Sequence, residues 1–236
     1  MTKNKRIVLL LAAGKSQRMG GSRPKQYIEV DGESVLLHTM RAFEQHPLID
    51  HIYVACNPEW RATVEEEVRK GGIQKFRRTI EGGETAFQTI SNGIQFILQQ
   101  TYDAQDMLLV HDAVRPLISQ DIISRNISVC ATHGNAITAL GSHEAFILSK
   151  DGHTSEGYLP RDNIFRAQTP HTFLLSQVRQ IATAIQTGHI QQSQSLFTLA
   201  NEVGIAPLYI AQGELVNFKI TNPSDFSLYQ ALKHLE

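Results

Sequence analysis

Little in the composition of this chain points to a disulfide-stabilised, zinc-binding or membrane protein. Its only cysteines among 236 residues are Cys56 and Cys130, and no CxxC spacing occurs, so neither a disulfide framework nor a zinc site is indicated. The first apolar run, Ile7–Leu11, is too short for a signal-peptide core or a membrane span. We therefore expect a cytoplasmic protein that does not bind membranes.

The chain also lacks an excess of positive charge. It has 22 Lys and Arg against 23 Asp and Glu, a net charge of −1, which argues against nucleic acid as a partner. Hydrophobic residues make up 42% of the sequence, enough for one substantial core at this length. We expect a single domain over residues 1–236.

Apolar runs and helix-period segments alternate along the first two thirds of the chain. The runs that predict buried strands are Ile7–Leu11, His51–Ala55, Met107–His111 and Ala136–Leu140. The predicted helices are Ser34–Gln45, Pro58–Lys70, Thr85–Gln100 and Ser119–His133, with Ser34 as an N-cap. This alternation predicts an α/β fold, a Rossmann-like three-layer sandwich with a mostly parallel central sheet. Loops after parallel strands meet at one sheet edge, where such folds bind ligands.

A segment of different character follows at about residues 142–165. Its glycines, serines and short alternating pieces predict a protruding, hairpin-like β-arm, the alternative being a solvent-exposed insertion. The α/β pattern then returns with a helix at Leu175–Thr187, strands near Leu208–Ala211 and at Asn217–Ile220, and a closing helix from about Pro223.

The loop after the first strand has the character of an anion site. Small residues Ala12-Ala13-Gly14 end the strand and allow backbone N–H groups to approach a ligand, and cations follow at Lys15, Arg18, Arg23 and Lys25. This combination predicts a triphosphate cradle, whereas the alternative is a solvated basic loop. A P-loop that begins at Gly14 is excluded because Met19 and Gly20-Gly21-Ser22 stand where its Gly-Lys-Ser/Thr belongs. A dinucleotide fingerprint is excluded because Ser16 stands where its second glycine belongs.

The pattern LAAGxSxRMG followed by PKQ resembles the nucleotidyltransferases that form sugar nucleotides, and more narrowly the cytidylyltransferases of sugar-alcohol phosphates. Four further blocks resemble the same family: EGGETAFQTISNGI at 81–94, LLVHDAVRP at 108–116, RAQTP at 166–170 and NFKIT at 217–221. Members act on 2-C-methyl-D-erythritol 4-phosphate or ribitol 5-phosphate. The resemblance implies an enzyme that joins CMP from CTP to a sugar-alcohol phosphate and releases pyrophosphate. It also implies Mg²⁺ as cofactor and a homodimer that exchanges contacts through its arms.

The nucleophile of such a reaction is a phosphate oxygen that is already ionised, so positioned cations and a metal matter more than a general base. The resemblance implies that Arg18, Lys25 and Lys219 are catalytic and that Arg115, Arg161 and Thr169 bind the acceptor. The implied nucleotide-binding residues are Ala12, Ala13, Gly14, Lys15, Gly83, Glu84, Thr89 and Asp112.

Asp112 is also the implied metal ligand. It ends a predicted strand, and a carboxylate there is placed to hold Mg²⁺ against a triphosphate. The alternative is a turn or N-cap aspartate near the helix that starts at Ser119. Without the resemblance, Arg161 and Lys219 would be interpreted as solvated charges.

Three departures from the family pattern leave other functions open. Ala86 stands where the family usually has Arg, with Arg78 as the nearby cation available to replace its charge. Gly141-Ser142 and Gln194-Ser195 replace an Asp-Thr and a Thr-Asp pair on the acceptor side. The alternatives are a nucleotidyltransferase with a different base or sugar phosphate, or a nucleotide-binding regulator without turnover. The acceptor also stays open, because HDAVRP is closer to the ribitol enzymes whereas the methylerythritol enzymes are more widespread.

Overall fold

The computed structural model describes residues 4–14 and 23–233. Its strands are β1 Arg6–Leu11, β2 Glu29–Val30, β3 Glu33–Ser34, β4 His51–Cys56, β5 Phe76–Glu81, β6 Met107–Asp112, β7 Asn135–Gly141, β8 Phe146–Leu148, β9 Gly157–Leu159, β10 Phe165–Leu174 and β11 Ile210–Gln212. Its α-helices are α1 Val35–Gln45, α2 Arg61–Gly71, α3 Ala86–Leu98, α4 Gln120–His133, α5 Leu175–Gln186, α6 Leu196–Glu202 and α7 Pro223–Lys233. None of these described helices combines the length and apolar character needed to cross a bilayer.

Seven strands form one sheet in the order β11-β7-β10-β6-β1-β4-β5, parallel throughout except for β10. In this register Leu11 at the end of β1 lies beside Asp112 of β6 and Ala55 of β4. The pairing of β4 with β5 aligns Cys56 with Glu81. The carboxyl ends of four parallel strands therefore meet at one edge, as the alternation of strands and helices predicts.

Side chains of β1 alternate between two hydrophobic cores. Val8 and Leu10 pack with α1, α2 and α4 on one face, whereas Ile7 and Leu9 pack with α3, α5 and α6 on the other. Because successive side chains of a strand point to opposite faces, a strand buried on both faces appears as a continuous apolar run. The predicted three-layer sandwich is confirmed. Cys56 and Cys130 are both buried free thiols of the first core.

Helix starts follow the polar residues that precede them. The side chains of Ser34 and Ser119 accept hydrogen bonds from the backbone N–H of the third residue that follows, and so cap α1 and α4. Thr85 and Gln88 form a reciprocal capping box at the start of α3. Since Ser119 is the cap of α4, the alternative N-cap role of Asp112 is excluded.

The structure differs from the sequence predictions at several segments. The predicted strand at Asn217–Ile220 is wrong: this segment lies outside the sheets, and the Ile220 N–H donates to the Val114 carbonyl at 2.9 Å. The two-residue strands β2 and β3, the strands β5 and β10 and helix α6 were not predicted. β5 is an edge strand that begins Phe-Arg-Arg, and Pro170 with its polar neighbours interrupts the apolar pattern of β10.

The predicted β-arm is a two-stranded hairpin of β8 and β9, in which Phe146 lies opposite Leu159. Its apolar side chains are unusually open to solvent, with Ile147 69% and Tyr158 74% exposed. The hairpin pairs only with itself among the described residues, so these side chains find no core within the chain.

Candidate functional site

A cleft of about 540 Å³ opens at the sheet edge where β1, β5 and β6 end. It lies between the loop after β1, the loop before α3 and the extended segment 217–221. Six of the eight residues predicted to bind the nucleotide line it: Ala13, Gly14, Gly83, Glu84, Thr89 and Asp112. Lys25 and Lys219, predicted to be catalytic, line it as well. The tertiary fold thus brings together residues that are separated by more than two hundred positions in the sequence.

The loop after β1 is held by Gln26, a residue not predicted as part of the site. Its side-chain amide donates to the carbonyls of Ala12 and Gly14 at 2.7 and 3.0 Å. Gln26 is itself buried, in a short 3₁₀ turn that also places Lys25 against the cleft. The only signal for this role was its place in the PKQ motif.

Gly82 allows the second loop to pack against the first. A Cβ atom at this position would lie 2.3 Å from the Ala13 Cβ, a distance that no side chain tolerates. Thr89 braces the same loop, because its hydroxyl accepts from the Gly83 N–H at 3.1 Å and donates to the Thr85 carbonyl at 2.9 Å. The contact of Gly83 and Thr89 with a base stays a prediction.

Asp112 lies at the centre of the site between two cations. One carboxylate oxygen is 2.9 Å from Lys219 Nζ and the other is 3.0 Å from Arg115 Nε. Burial alone would raise the pKa of Asp112, but Lys219 and Arg115 outweigh it and hold the pKa well below its usual range. Asp112 is therefore ionised at neutral pH, and it joins β6 to the distant segment that carries Lys219.

A buried hydrogen-bond chain fixes the backbone at Asp112. The Asp112 N–H donates to the Thr169 hydroxyl at 3.1 Å, and that hydroxyl lies 3.0 Å from His111 Nδ1. The other ring nitrogen of His111 donates to the Arg115 carbonyl at 3.3 Å, which leaves Nδ1 as the acceptor for Thr169. Burial lowers the pKa of His111 to about 3, so the ring is neutral. His111 is a positioning residue that sequence reasoning missed, although it stands in the HDAVRP motif.

Asn217 places the segment that carries Lys219. Its carbonyl accepts from the Arg115 guanidinium at 2.8 Å, and its side-chain amide donates to the Thr169 carbonyl at 2.9 Å. Asn217 is completely buried. Two hydrogen bonds to separate elements therefore replace the sheet pairing that was predicted here, and they keep Lys219 at the cleft.

A second cavity of about 190 Å³ adjoins the cleft and shares Leu11, Asp112 and Lys219 with it. Its other wall includes Arg115 and Thr169, both predicted to bind the acceptor, and residues of β10 and the start of α6. Ser195, one of the departures from the family pattern, caps α6 through the Thr198 N–H. The two cavities thus meet at the Asp112–Lys219 ion pair.

Four predicted site residues are not found lining either cavity in the described part of the chain. Ala12 is buried directly after β1, where its carbonyl accepts from the Gln26 side chain. Lys15 and Arg18 lie outside the described residues, so their roles stay predictions. Arg161 lies in the 3₁₀ turn Arg161–Asn163 at the end of the arm, where it is exposed and lines neither cavity.

The expectation that Arg78 replaces the charge missing at Ala86 is wrong. Ala86 lines the cleft, whereas the Arg78 guanidinium lies 5.2 Å from the Phe96 ring centroid and lines a separate surface groove. Arg23, at the end of the first loop, is ion-paired with Glu29 at 3.4 Å and exposed.

The fold and the site define a class before any relative is considered. An open α/β sheet presents two loops of small residues, a buried lysine and a cation-held carboxylate at the carboxyl edge of its parallel strands, where open α/β sheets bind nucleotides. A second cavity joins the first at that carboxylate, so two ligands can meet there. This is the architecture of a nucleotide-binding transferase.

Comparison with known proteins identifies the family. The model described as "IspD: 2-C-methyl-D-erythritol 4-phosphate cytidylyltransferase" matches residues 6–234. The chain is 30% identical over 224 residues to the ribitol-5-phosphate cytidylyltransferase of Lacticaseibacillus paracasei, covering 94% of this chain and 95% of that protein. It is 32% identical over 226 residues to the 2-C-methyl-D-erythritol 4-phosphate cytidylyltransferase of Geotalea uraniireducens, covering 94% of each.

A crystal structure of a 4-diphosphocytidyl-2C-methyl-D-erythritol synthase superimposes with a TM-score of 0.82 at 25% identity, covering 98% of this chain and all of that one. The chain therefore belongs to the IspD family and is an enzyme of the nucleotidyltransferase class. The resemblance found in the five sequence blocks is confirmed.

The buried His171 of β10 makes the stability of the fold sensitive to mild acid. Burial lowers its pKa to about 4; Arg115 and Lys219 lower it further, whereas Asp112 and the Gln168 backbone oppose the shift. Between this value and the ordinary value near 6.5, the unfolded chain binds a proton that the folded chain does not. The free energy of unfolding must therefore fall as the pH falls through this window.

The free energy of unfolding of the parent should fall with decreasing pH more steeply than that of His171→Gln. We expect the two slopes to differ by up to about 1.4 kcal/mol per pH unit. Urea unfolding of the variant and the parent at pH 7, 6 and 5 measures the difference. The exposed His143→Gln serves as the control and should keep the parental slope. Equal slopes for parent and His171→Gln would contradict the prediction.

Proposed function

We propose that this enzyme transfers CMP from CTP to the phosphate of a sugar alcohol and releases pyrophosphate, acting in the cytoplasm where CTP is available. The observation that carries the proposal is the meeting of two cavities at Asp112 and Lys219. The larger, about 540 Å³, has room for a nucleoside triphosphate, and the smaller, about 190 Å³, for a small polyol. The reacting phosphates then lie at the junction, beside Lys219.

The chemistry is a displacement at the α-phosphorus. An oxygen of the acceptor phosphate forms the new bond, and the bond from the α-phosphorus to the bridging oxygen breaks as pyrophosphate leaves. The acceptor oxygen is ionised already, so the enzyme has to bring two anions together and offset the charge that gathers between them. Lys219 at the junction and Lys25 in the cleft supply this charge, with Lys15 and Arg18 as further expected contacts of the triphosphate.

We assign Mg²⁺ to Asp112 in this proposal. The described residues contain no cluster of three or more His, Cys, Asp or Glu side chains able to hold a metal ion by themselves. Mg²⁺ with nucleotides is usually held by one or two carboxylates together with the phosphates. Asp112 fits this pattern because it is ionised and borders both cavities. When bound, the ion would supply positive charge against the triphosphate.

We propose ribitol 5-phosphate as the preferred acceptor and 2-C-methyl-D-erythritol 4-phosphate as the second candidate. Overall identity does not separate them, because relatives named for either substrate lie between 30% and 33%. The HDAVRP run at 111–116 resembles the ribitol enzymes more closely. Polar side chains in the wall of the smaller cavity, including His171 and Gln194, also suit the more hydroxylated polyol.

A substrate matrix tests the proposal directly. Pyrophosphate release is measured for CTP, UTP, ATP and GTP, each against ribitol 5-phosphate, 2-C-methyl-D-erythritol 4-phosphate and sugar phosphates of similar size. We expect CTP to exceed ATP and GTP by at least about tenfold in kcat/KM, equal to about 1.4 kcal/mol of discrimination, because we expect Gly83, Glu84 and Thr89 to form a short edge that suits a pyrimidine. Equal use of GTP, or no release with any alditol phosphate, would contradict the proposal.

Asp112→Asn tests the metal assignment. The amide keeps the shape of the side chain but removes the charge that attracts Mg²⁺, so we expect turnover to fall by about a hundredfold or more. Activity is measured over a Mg²⁺ titration in parent and variant, with CTP binding followed by calorimetry without acceptor. Asp121→Asn, on the outer surface of α4, is the matched control. A variant with the parental Mg²⁺ dependence would place the ion elsewhere.

We further propose a homodimer in which the arm of one copy brings Arg161 to the acceptor cavity of the other. The exposed apolar side chains of β8 and β9 favour burial against a second copy, and Arg161 lies at the end of this arm, outside both cavities of its own chain. A cation there would grip the acceptor phosphate together with Arg115 and Lys219.

Mixing two defective variants tests this arrangement. Arg161→Glu and Lys25→Ala should each be weak at limiting acceptor, but a mixed dimer holds one intact site, so we expect about a quarter of the parental activity to return. The control mixture, Lys25→Ala with Asp112→Asn, damages two residues that act in the same chain and should restore nothing. No recovery despite mixed dimers in native mass spectrometry would show that Arg161 acts within its own chain or not at all.

A further inference from the structure

The wall of the smaller cavity contains a histidine that neither the family motifs nor the proposed mechanism uses. His171 lies on β10 between the neighbouring strands, opposite Val110 of β6 and Ile137 of β7. It is only 4% exposed, and its ring meets the Phe197 ring edge-on with centroids 5.2 Å apart. Strand and aromatic contact together hold the imidazole in one orientation.

The two ring nitrogens of His171 have different surroundings. Nε2 is buried and has no hydrogen-bond partner among the residues that the structure describes. The Gln168 backbone raises the pKa of the ring, as a carbonyl beside a ring N–H donor does. With Nε2 unpartnered, the donor is Nδ1. In the neutral ring, Nε2 then carries a lone pair and no proton.

His111 provides the comparison within the same chain. It is equally buried, yet both of its ring nitrogens are satisfied, by Thr169 and by the Arg115 carbonyl. A histidine that serves only the core is expected to be paired in this way, because an unpaired buried polar atom is costly. His171 departs from this rule at Nε2, which bonds to no residue in the described part of the chain, and His171 lines the cavity.

Most of the other polar groups in this wall are already engaged. The Thr169 hydroxyl bonds Asp112 and His111, the Ser195 hydroxyl caps α6, and the Gln168 side chain bonds the backbone of Glu214. Lys219 and Arg115 are cations that are directed to Asp112. Nε2 of His171 is thus a neutral hydrogen-bond acceptor among positive charges. A ligand that pairs with it must donate a hydrogen bond.

We propose that Nε2 of His171 accepts a hydrogen bond from a hydroxyl of the acceptor's carbon chain and thereby selects a polyol phosphate. The inference rests on the proposed function and adds a specificity-determining residue to it. The acceptor phosphate cannot be the partner, since an ionised phosphate has no proton to donate and must lie at the junction with the nucleotide. The hydroxyl groups are the donors that such a substrate carries into the smaller cavity.

The test combines substitutions of His171 with the removal of single hydroxyl groups from the substrate. Ribitol 5-phosphate and its monodeoxy analogues, each lacking one hydroxyl, are assayed with the parent, His171→Phe and His171→Gln. We expect His171→Phe to raise the acceptor KM about tenfold while the CTP KM stays within about twofold. One deoxy analogue should be about tenfold poorer than ribitol 5-phosphate for the parent but equal to it for His171→Phe. His171→Gln, whose amide oxygen can accept, should restore much of the preference.

Controls separate this role from a structural one. His46→Phe changes a buried histidine that is bonded to Ser124 outside both cavities, and it should leave the acceptor KM unchanged. Thermal unfolding reports whether each variant is folded. If His171→Phe does not fold, the parent labelled with ¹⁵N-histidine still tests the idea. Adding CDP-ribitol should shift the Nε2 resonance assigned with His171→Gln, and the deoxy product should not.

The outcomes are distinguishable. If the parent uses no alditol phosphate at all, the proposed function fails and this inference fails with it. If the parent is active but His171→Phe keeps the parental acceptor KM, or shows the same deoxy penalties, only the inference is overturned. An Nε2 resonance unmoved by saturating CDP-ribitol would overturn it as well.

Discussion

Asp112 carries a buried negative charge that two cations balance, and the geometry of the site depends on this balance. A buried carboxylate is costly unless its charge is compensated, and here each oxygen meets one cation, Lys219 or Arg115. Lys219 comes from a segment more than a hundred residues away, so this one ion cluster ties the end of β6 to the C-terminal part of the chain. Removing either partner would leave an uncompensated charge at the point where the two cavities meet.

Neutral groups around the cluster keep it in place without adding charge. Hydrogen bonds through Thr169 and His111 fix the Asp112 backbone. Asn217 bonds both the Arg115 guanidinium and the Thr169 carbonyl of β10. Burial keeps His111 unprotonated, so a third positive charge does not compete for the carboxylate. The site is therefore preorganised for anions, because its dipoles are oriented before a substrate arrives.

The two cavities that meet at Asp112 differ in the kind of residue that lines them. The proposed nucleotide side includes residues of the recognised motifs, such as Ala13, Gly83 and Lys25. The proposed acceptor side is built from side chains on β10 and at the start of α6, where one of the three departures from the family pattern, Gln194-Ser195, falls. Ser195 caps α6 through the Thr198 N–H, and the start of α6 borders this cavity.

Local sequence determined the buried strands, the caps at Ser34 and Thr85 and the loop of small residues after β1, because periodicity, capping and steric freedom act between near neighbours. It also carried the motifs that identified the family. Tertiary structure alone decided that β10 enters the sheet antiparallel, that residues 217–221 form no strand, and that Arg78 turns away from the cleft. These outcomes depend on hydrogen bonds, charges and ring contacts between residues far apart in the chain, which no local pattern encodes.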